Sequence, residues 1–355
     1  MKQNNIPTEV YESRMRRCLE LAKLGFGKVA PNPMVGCIIV HNDRVIGEGY
    51  HEKYGSAHAE VNAIRSVQQK ELLKQSSLYV NLEPCSHFGK TPPCVNLILE
   101  QGIREVIIGT IDPNPLVSGK GIQHLKEAGI NVIPSILEQE CRQINKRFFT
   151  FHEKKRPYII LKWAETKDGF ISRYPIPNSR EENRITGNEA NILNHQWRSQ
   201  ESAIMVGTNT VINDNPELTT RHVAGKNPTR ILIDKKGSLR SELNVFKNNS
   251  TVIVFSEQQS RIQENIEYIH FNFKTDILEF ILQSLYNRNI QSVIIEGGST
   301  LLNSFLEKNL WDEIRILKGN IEFKTGVEAP SLNLSNGERT KVGNDEMIHF
   351  SKLLF

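Results

Sequence analysis

Cysteine is scarce in this chain: five in 355 residues, at Cys18, Cys37, Cys85, Cys94 and Cys141. An odd, widely spaced set excludes a disulfide framework and predicts free thiols, as a reducing compartment keeps them. Long apolar runs are missing as well. No stretch reaches the roughly 18 residues that suggest a membrane span. The polar start, Met1 to Pro7, lacks the apolar core of a secretion signal. These absences predict a cytoplasmic protein with no membrane partner. Charge of one sign is also in short supply. The 44 basic and 40 acidic side chains leave a net charge of +4, spread over the chain. That balance suits a small anionic substrate and offers no basic stripe for nucleic acid. There is no internal repeat and no low-complexity segment, which excludes a solenoid and a disordered tract.

What is present is a globular composition, 38% hydrophobic and 24% charged. The length exceeds one typical core, so two domains are expected. Apolar periodicity predicts helices over 9–24, 58–69, 94–101, 121–128 and 138–151, and strands over 35–40, 45–49, 78–82, 106–109 and 132–135. Strands alternate with helices, which predicts layered α/β architecture. The charged, proline-ended stretch His152 to Pro157 predicts a boundary between domains over 1–152 and 157–355. Beyond it, strands are expected at 158–161, 203–206, 230–233, 251–255 and 292–295, with another starting at Arg315-Ile316. Helices fit 189–199, 276–288 and 300–308.

Four short pieces carry chemistry: His58-Ala59-Glu60, Pro84-Cys85, the loop 86–93, and Cys94. One imidazole and two thiolates make a three-ligand zinc site, leaving the fourth tetrahedral position open for water. A nearby carboxylate can then carry protons without binding the metal. Residues two apart on a helix point to nearly opposite sides. His58 and Glu60 therefore share a site only where the helix begins and one of them still belongs to the loop. Cys94 is expected to open a helix, where unpaired N–H groups favour a thiolate. A hydrolytic deaminase uses H-x-E followed by P-C-x-x-C. The first half matches. In the second half, eight residues rather than two separate Cys85 from Cys94.

That longer run, Glu83 to Cys94, resembles the bifunctional pyrimidine deaminase–reductase family of riboflavin biosynthesis, RibD/RibG. So do Pro31-Asn32-Pro33-Met34-Val35-Gly36, Gly47-Glu48-Gly49-Tyr50-His51, and Asp112-Pro113-Asn114-Pro115 with Gly119-Lys120-Gly121. The resemblance implies an N-terminal cytidine-deaminase-like αβα layered domain followed by a dihydrofolate-reductase-like α/β domain. It implies that His58, Cys85 and Cys94 hold Zn²⁺, that Glu60 shuttles protons, and that Asn32, His51 and Lys90 lie near a small phosphorylated pyrimidine substrate. His87 stands as an alternative fourth ligand, which would close the site and make it structural.

In the second half, Ile294-Ile295-Glu296-Gly297-Gly298-Ser299 reads as strand, two glycines and helix start, a candidate phosphate cradle. Gly25 to Ala30 matches a dinucleotide fingerprint in letters only, because it follows a helix. Resemblance to the same family continues through Leu161-Lys162-Trp163-Ala164, Asp168-Gly169, Val206 to Val211, Asp214-Asn215-Pro216, Leu218-Thr219 and Arg221. It implies NADPH against Ala164, Thr210, Asp214 and the turn Gly297, Gly298, Ser299, Thr300, Leu301 and Leu302. It implies substrate near Arg198, Leu218, Arg221 and Glu296, with Lys162 and Asp168 as further candidates. Guanidinium forks suit phosphate oxygens, which favours Arg198 and Arg221 as clamps. The chain departs from the family in a long loop between Gly169 and Thr186, where Arg184 replaces a common tryptophan and Glu182 a common serine. Two other readings stay open at this point: a zinc deaminase acting on nucleic-acid bases, and a zinc scaffold with a decayed reductase half. Oligomeric state, a homo-oligomer included, has no signature in the sequence.

Overall fold

Cys37, Ile38, Ile39 and Val40 are all buried. Successive strand residues face opposite sides of a sheet, so this strand must be covered on both faces. The computed structural model describes residues 7–88, 92–115, 117–177, 179, 181–332 and 336–352. It divides into two units between Lys155 and Arg156.

The first unit runs α1 (Thr8–Lys23), β1 (Gly36–His41), β2 (Arg44–Tyr50), α2 (Ala59–Ser66), β3 (Ser77–Val80), α3 (Cys94–Glu100), β4 (Glu105–Ile108), α4 (Lys120–Glu127), β5 (Asn131–Ile133), α5 (Glu138–Ile144) and α6 (Lys146–Lys154). Its sheet has the order β2-β1-β3-β4-β5. β1 lies antiparallel to β2 and β3, and β3, β4 and β5 are parallel. Cys37 and Ile39 pack with Ala63 of α2, Ile98 of α3 and Leu125 of α4. Ile38 and Val40 pack with Met15 and Leu19 of α1 and Cys141 of α5. Helices thus cover both faces, which is the αβα layering expected. Gly49 lets α2 lie directly on β2, since a Cβ there would come within 2.3 Å of the Ala63 amide nitrogen.

One expected helix is two. The stretch 138–151 breaks at Asn145, with φ −101° and ψ 21°. Its side chain is drawn to the backbone of Met34, accepting from the amide at 2.7 Å and donating to the carbonyl at 2.8 Å. A tertiary hydrogen-bond pair there overrides helical propensity.

The second unit runs β6 (Tyr158–Glu165), β7 (Phe170–Arg173), α7 (Asn188–Gln200), β8 (Ala203–Gly207), α8 (Thr208–Asp214), β9 (Thr229–Ile233), β10 (Val252–Ser256), β11 (Arg261–Gln263), β12 (Ile266–His270), α9 (Ile277–Asn287), β13 (Ser292–Glu296), α10 (Ser299–Glu307), β14 (Glu313–Lys318), β15 (Gly326–Glu328), β16 (Glu338–Val342) and β17 (Asp345–Ser351). The main sheet has the order β11-β12-β10-β9-β8-β13-β6-β14-β17-β16. From β12 to β14 every neighbouring pair is parallel. Leu278, Ile281 and Leu285 of α9 with Leu302 and Phe305 of α10 cover one face. On the other, Ala190 and Trp197 of α7 pack on Tyr158, Ile160 and Ile294. α8 was not foreseen, because Thr208-Asn209-Thr210 and Asn213-Asp214-Asn215 read as turn formers. β13 returns between β6 and β8, two strands that precede it in the chain. The carboxyl ends of these strands are where an open α/β sheet offers a ligand crevice.

Candidate active sites

In the first unit, four carboxyl-end or helix-start positions converge. His58 is the residue before α2, still extended at φ −73° and ψ 163°, and Glu60 is the second helical residue. The geometry is the one that lets residues two apart share a site. Cys85 lies in the loop after β3, and Cys94 begins α3 behind Pro93. Nδ1 of His58 lies 3.6 Å from the Cys85 sulfur and 3.3 Å from the Cys94 sulfur. The Cys94 amide donates to the Cys85 sulfur at 3.3 Å. The three ligand atoms lie within 4.8 Å of one another, and among the described residues no other His, Cys, Asp or Glu group of this kind occurs. His87 is exposed and outside the cluster, although it lines the same cavity.

The donor set fits Zn²⁺: one imidazole nitrogen and two sulfurs with a corner left over. The hydrogen bond from Cys94 pulls Cys85 down to about 4, and the same bond pushes Cys94 well above its ordinary value. A dication favours the thiolate in both.

Glu60 is 3% exposed. Burial, then the Cys85 charge, raises its carboxyl to about 6, where a proton carrier is most effective near neutral pH. The cavity lined by His58, Glu60 and Cys85 has a volume of about 260 Å³ and is also lined by Asn32, His51, Asp112 and Asn114. Asn32 Nδ2 meets His51 Nε2 at 3.1 Å, while His51 Nδ1 meets the Ala57 carbonyl oxygen at 3.1 Å. Nδ1 therefore carries the proton and Nε2 accepts. Burial lowers the His51 pKa, keeping the ring neutral. The structure thus brings Asn32 and His51 together in the cavity wall. Lys90 lies outside the described residues.

Sequence reasoning missed Asp112 and Glu83. Glu83 accepts four amides, from Asp112 at 3.2 Å, Gly119 at 2.9 Å, Gly121 at 2.9 Å and Ile122 at 3.2 Å. It pins the loop that puts Asp112 in the cavity wall. A Cβ on Gly121 would sit 2.2 Å from the Pro84 carbonyl oxygen, so only glycine allows that approach. Burial raises Asp112 to about 7. The signal was there in Glu83-Pro84 and Asp112-Pro113-Asn114, but not the contact between them.

In the second unit, Lys162 of β6 and Glu296 of β13 are register partners. Arg198 of α7 makes a 2.6 Å ion pair with Glu296, with side chains 7% and 11% exposed. Burial pushes the Glu296 carboxyl up, but Arg198 and then Lys162 outweigh it and hold it at about 2. Burial lowers Lys162. Arg198 thus has a carboxylate partner that the sequence did not indicate. Gly298 caps α10 directly after β13, and its amide donates to Thr210 Oγ1 of α8 at 2.9 Å. Leu302 is fully buried in the core, and the amides of Leu301 and Leu302 are taken by the Gly298 carbonyl at 3.1 and 3.3 Å. This narrows the cradle to Gly297, Gly298, Ser299 and Thr300. Ala164 is half-buried on β6, and Asp214 is exposed at the end of α8. Leu218 is buried. Arg221 contacts Thr219 Oγ1 at 2.9 Å and Glu217 at 3.0 Å. Asp168 caps a loop instead, accepting the Phe323 and Lys324 amides at 3.2 and 2.8 Å. Arg184 is tied to the Thr186 carbonyl at 3.0 Å and Asn188 at 2.6 Å.

An αβα unit with a three-donor zinc set and a buried glutamate, followed by a parallel α/β unit with a glycine cradle, defines a zinc deaminase joined to a reductase. Comparison with known proteins makes this specific. Residues 8–110 match the cytidine and deoxycytidylate deaminase zinc-binding region, and residues 157–320 match the RibD C-terminal domain. The chain is 39% identical to riboflavin biosynthesis protein RibD of Aquifex aeolicus, covering 97% of this chain and 99% of that one. It is 38% identical to RibD of Actinobacillus pleuropneumoniae, over 97% and 94%. The crystal structure of a Thermotoga maritima diaminohydroxyphosphoribosylaminopyrimidine deaminase/5-amino-6-(5-phosphoribosylamino)uracil reductase aligns with TM-score 0.84 at 36% identity, over 97% and 99% of the two chains. Acinetobacter baumannii RibD aligns with TM-score 0.86 at 30% identity, over the same shares. The chain belongs to the RibD family, whose members join a deaminase and a reductase of riboflavin biosynthesis in one polypeptide. Both units are accordingly enzymatic. No helix among the described residues is long and apolar enough to cross a membrane.

Proposed function

We propose that the first unit hydrolyses the 2-amino group of 2,5-diamino-6-(5-phosphoribosylamino)pyrimidin-4-one, and that the second reduces the ribosyl side chain of the product to ribityl with NADPH. The observation that carries the reading is the donor set of His58, Cys85 and Cys94 within 4.8 Å, with His58 and Cys85 lining one cavity with buried Glu60. Zinc, when bound by these three, supplies a Lewis acid that acidifies water toward neutrality. Glu60 takes a proton from the attacking water and gives one to the departing amine. The C–N bond breaks, the water oxygen becomes the new carbonyl, and ammonia leaves. Asn32 and His51 orient the ring, and the loop with Lys90 serves the phosphate.

In the second unit, Gly297 to Thr300 receives the cofactor pyrophosphate, with Thr210 bracing the turn and Ala164 and Asp214 flanking it. Lys162, Arg198, Leu218, Arg221 and Glu296 hold the substrate. The cofactor brings the hydride, and these residues bring orientation and charge. The fusion with a RibD reductase half favours a free pyrimidine substrate over a nucleic-acid base. Each intermediate supplied separately tests the reading, with ammonia and NADPH followed at once, with and without chelator. Chelation is expected to stop ammonia release and spare reduction of the deaminated intermediate. Ammonia release that survives removal of all metal sinks it.

A further inference from the structure

The segment that carries Leu218 and Arg221 adopts a backbone that does not hold itself. Leu218 has φ +53° and is 2% exposed. A left-handed conformation is unfavourable for a branched L-residue, so neighbouring structure has to maintain it. Two side chains of α7, one turn apart, reach the segment. Arg198 Nη1 donates to the Thr219 carbonyl oxygen at 3.5 Å. His195 Nδ1 accepts the backbone amide of Arg221 at 3.2 Å. His195 is 1% exposed, and its ring meets that of His222 edge to face at 4.6 Å. The side chain of Arg221 makes contacts with Glu217 and Thr219, which belong to its own turn. The imidazole ties that turn to α7, the helix that also presents Arg198 to Glu296.

We infer that His195 is a positioning residue for the reductase half: its Nδ1 lone pair fixes the backbone of Arg221 and so aims that guanidinium at the anionic end of the substrate. The inference rests on the proposed reduction of a phosphorylated intermediate. An acceptor at Nδ1 requires an unprotonated nitrogen. Burial first, then the charges of Arg198 and Arg221, lower the ring to about 4, so the acceptor persists at neutral pH. With Nδ1 accepting, the single ring proton sits on Nε2.

His195→Phe keeps a ring and removes the acceptor, and His195→Asn returns an acceptor close to the Nδ1 position. Both are assayed with the deaminated phosphorylated intermediate and NADPH. Losing the bond is expected to raise KM about tenfold in His195→Phe, with kcat changed about twofold. His195→Asn is expected to bring KM back to within about threefold of the parent value. In an Arg221→Ala background, His195→Phe should add nothing further, because the two act as one unit. An unchanged KM in His195→Phe, an equal rise in His195→Asn, or a full additional effect without Arg221 overturns the inference. Should the phenylalanine variant fail to fold, the long-range proton–nitrogen spectrum of the histidine-labelled parent decides. A proton on Nε2 supports the bond, and a proton on Nδ1 overturns it. A parent enzyme that leaves the intermediate unreduced defeats the functional reading instead, and the nitrogen spectrum still judges the bond.

Discussion

The two candidate sites are built on opposite plans. In the first unit, the metal ligands come from the ends of neighbouring elements, and His58, Glu60, Cys85 and Cys94 fall within 37 consecutive residues. The ligand atoms of His58, Cys85 and Cys94 already lie within 4.8 Å of one another. In the second unit, Lys162, Arg198, Thr210 and Glu296 come from four elements joined through a parallel sheet. Arg198 and Glu296 pair with each other rather than pointing at an obvious vacancy. A metal site is specified by its donors, so short motifs suffice. A dinucleotide-and-sugar site is specified by where strands end, so it needs the whole topology.

The strongest way to sharpen the contrast is Glu60→Gln. It removes the proposed proton carrier and leaves the candidate zinc donors, so ammonia release should fall roughly 10²- to 10⁴-fold. Reduction of separately supplied deaminated intermediate should continue. Joint loss of both activities would mean that the two sites do not work independently.

Glu296→Gln probes the other plan. It leaves Arg198 and Lys162 buried without their carboxylate, and breaking such a pair costs about 3–5 kcal/mol. Denaturant unfolding of the second unit, read by its own tryptophans Trp163, Trp197 and Trp311, is the measurement. The pH dependence has a definite sign. The Glu296 carboxyl is held at about 2, below its ordinary 4.5. Its stabilisation is therefore complete above about pH 4.5 and is lost as pH falls through about 2. The glutamine variant should lack this acid-sensitive component. A variant as stable as the parent at pH 7, with the same acid limb, would show that the ion pair contributes nothing.

The smallest effect is expected at the cradle. Thr210→Val removes the acceptor for the Gly298 amide, worth about 1 kcal/mol, so NADPH should bind about fivefold more weakly. Fluorescence titration of the cofactor, without substrate, checks it. Unchanged affinity would remove Thr210 from the cofactor's surroundings.

Much of this was legible before the structure. Helix-start logic placed His58 and Glu60 together, and proline before Cys94 marked the start of α3. The break at Asn145 was not legible, because its cause is the backbone of Met34, more than a hundred residues away in sequence. Nor was the role of Glu83, which is visible only once four amides from the 112–122 segment converge on it. Helix α8 was hidden by turn-forming residues. Leu302 was placed with the cofactor by resemblance, yet its side chain faces the core.

By itself the amino-acid sequence determined the layered α/β class and pointed to His58, Cys85 and Cys94 as a donor set that could hold zinc, with Glu60 beside it. Donor chemistry and apolar periodicity are local properties, written in neighbouring residues. Tertiary structure alone decided that Arg198 faces Glu296, that Glu83 organises the wall of the deaminase cavity, and that His195 grips the Arg221 amide. Those contacts depend on which strands lie side by side and which helix face meets them, and no short stretch of chain encodes that placement.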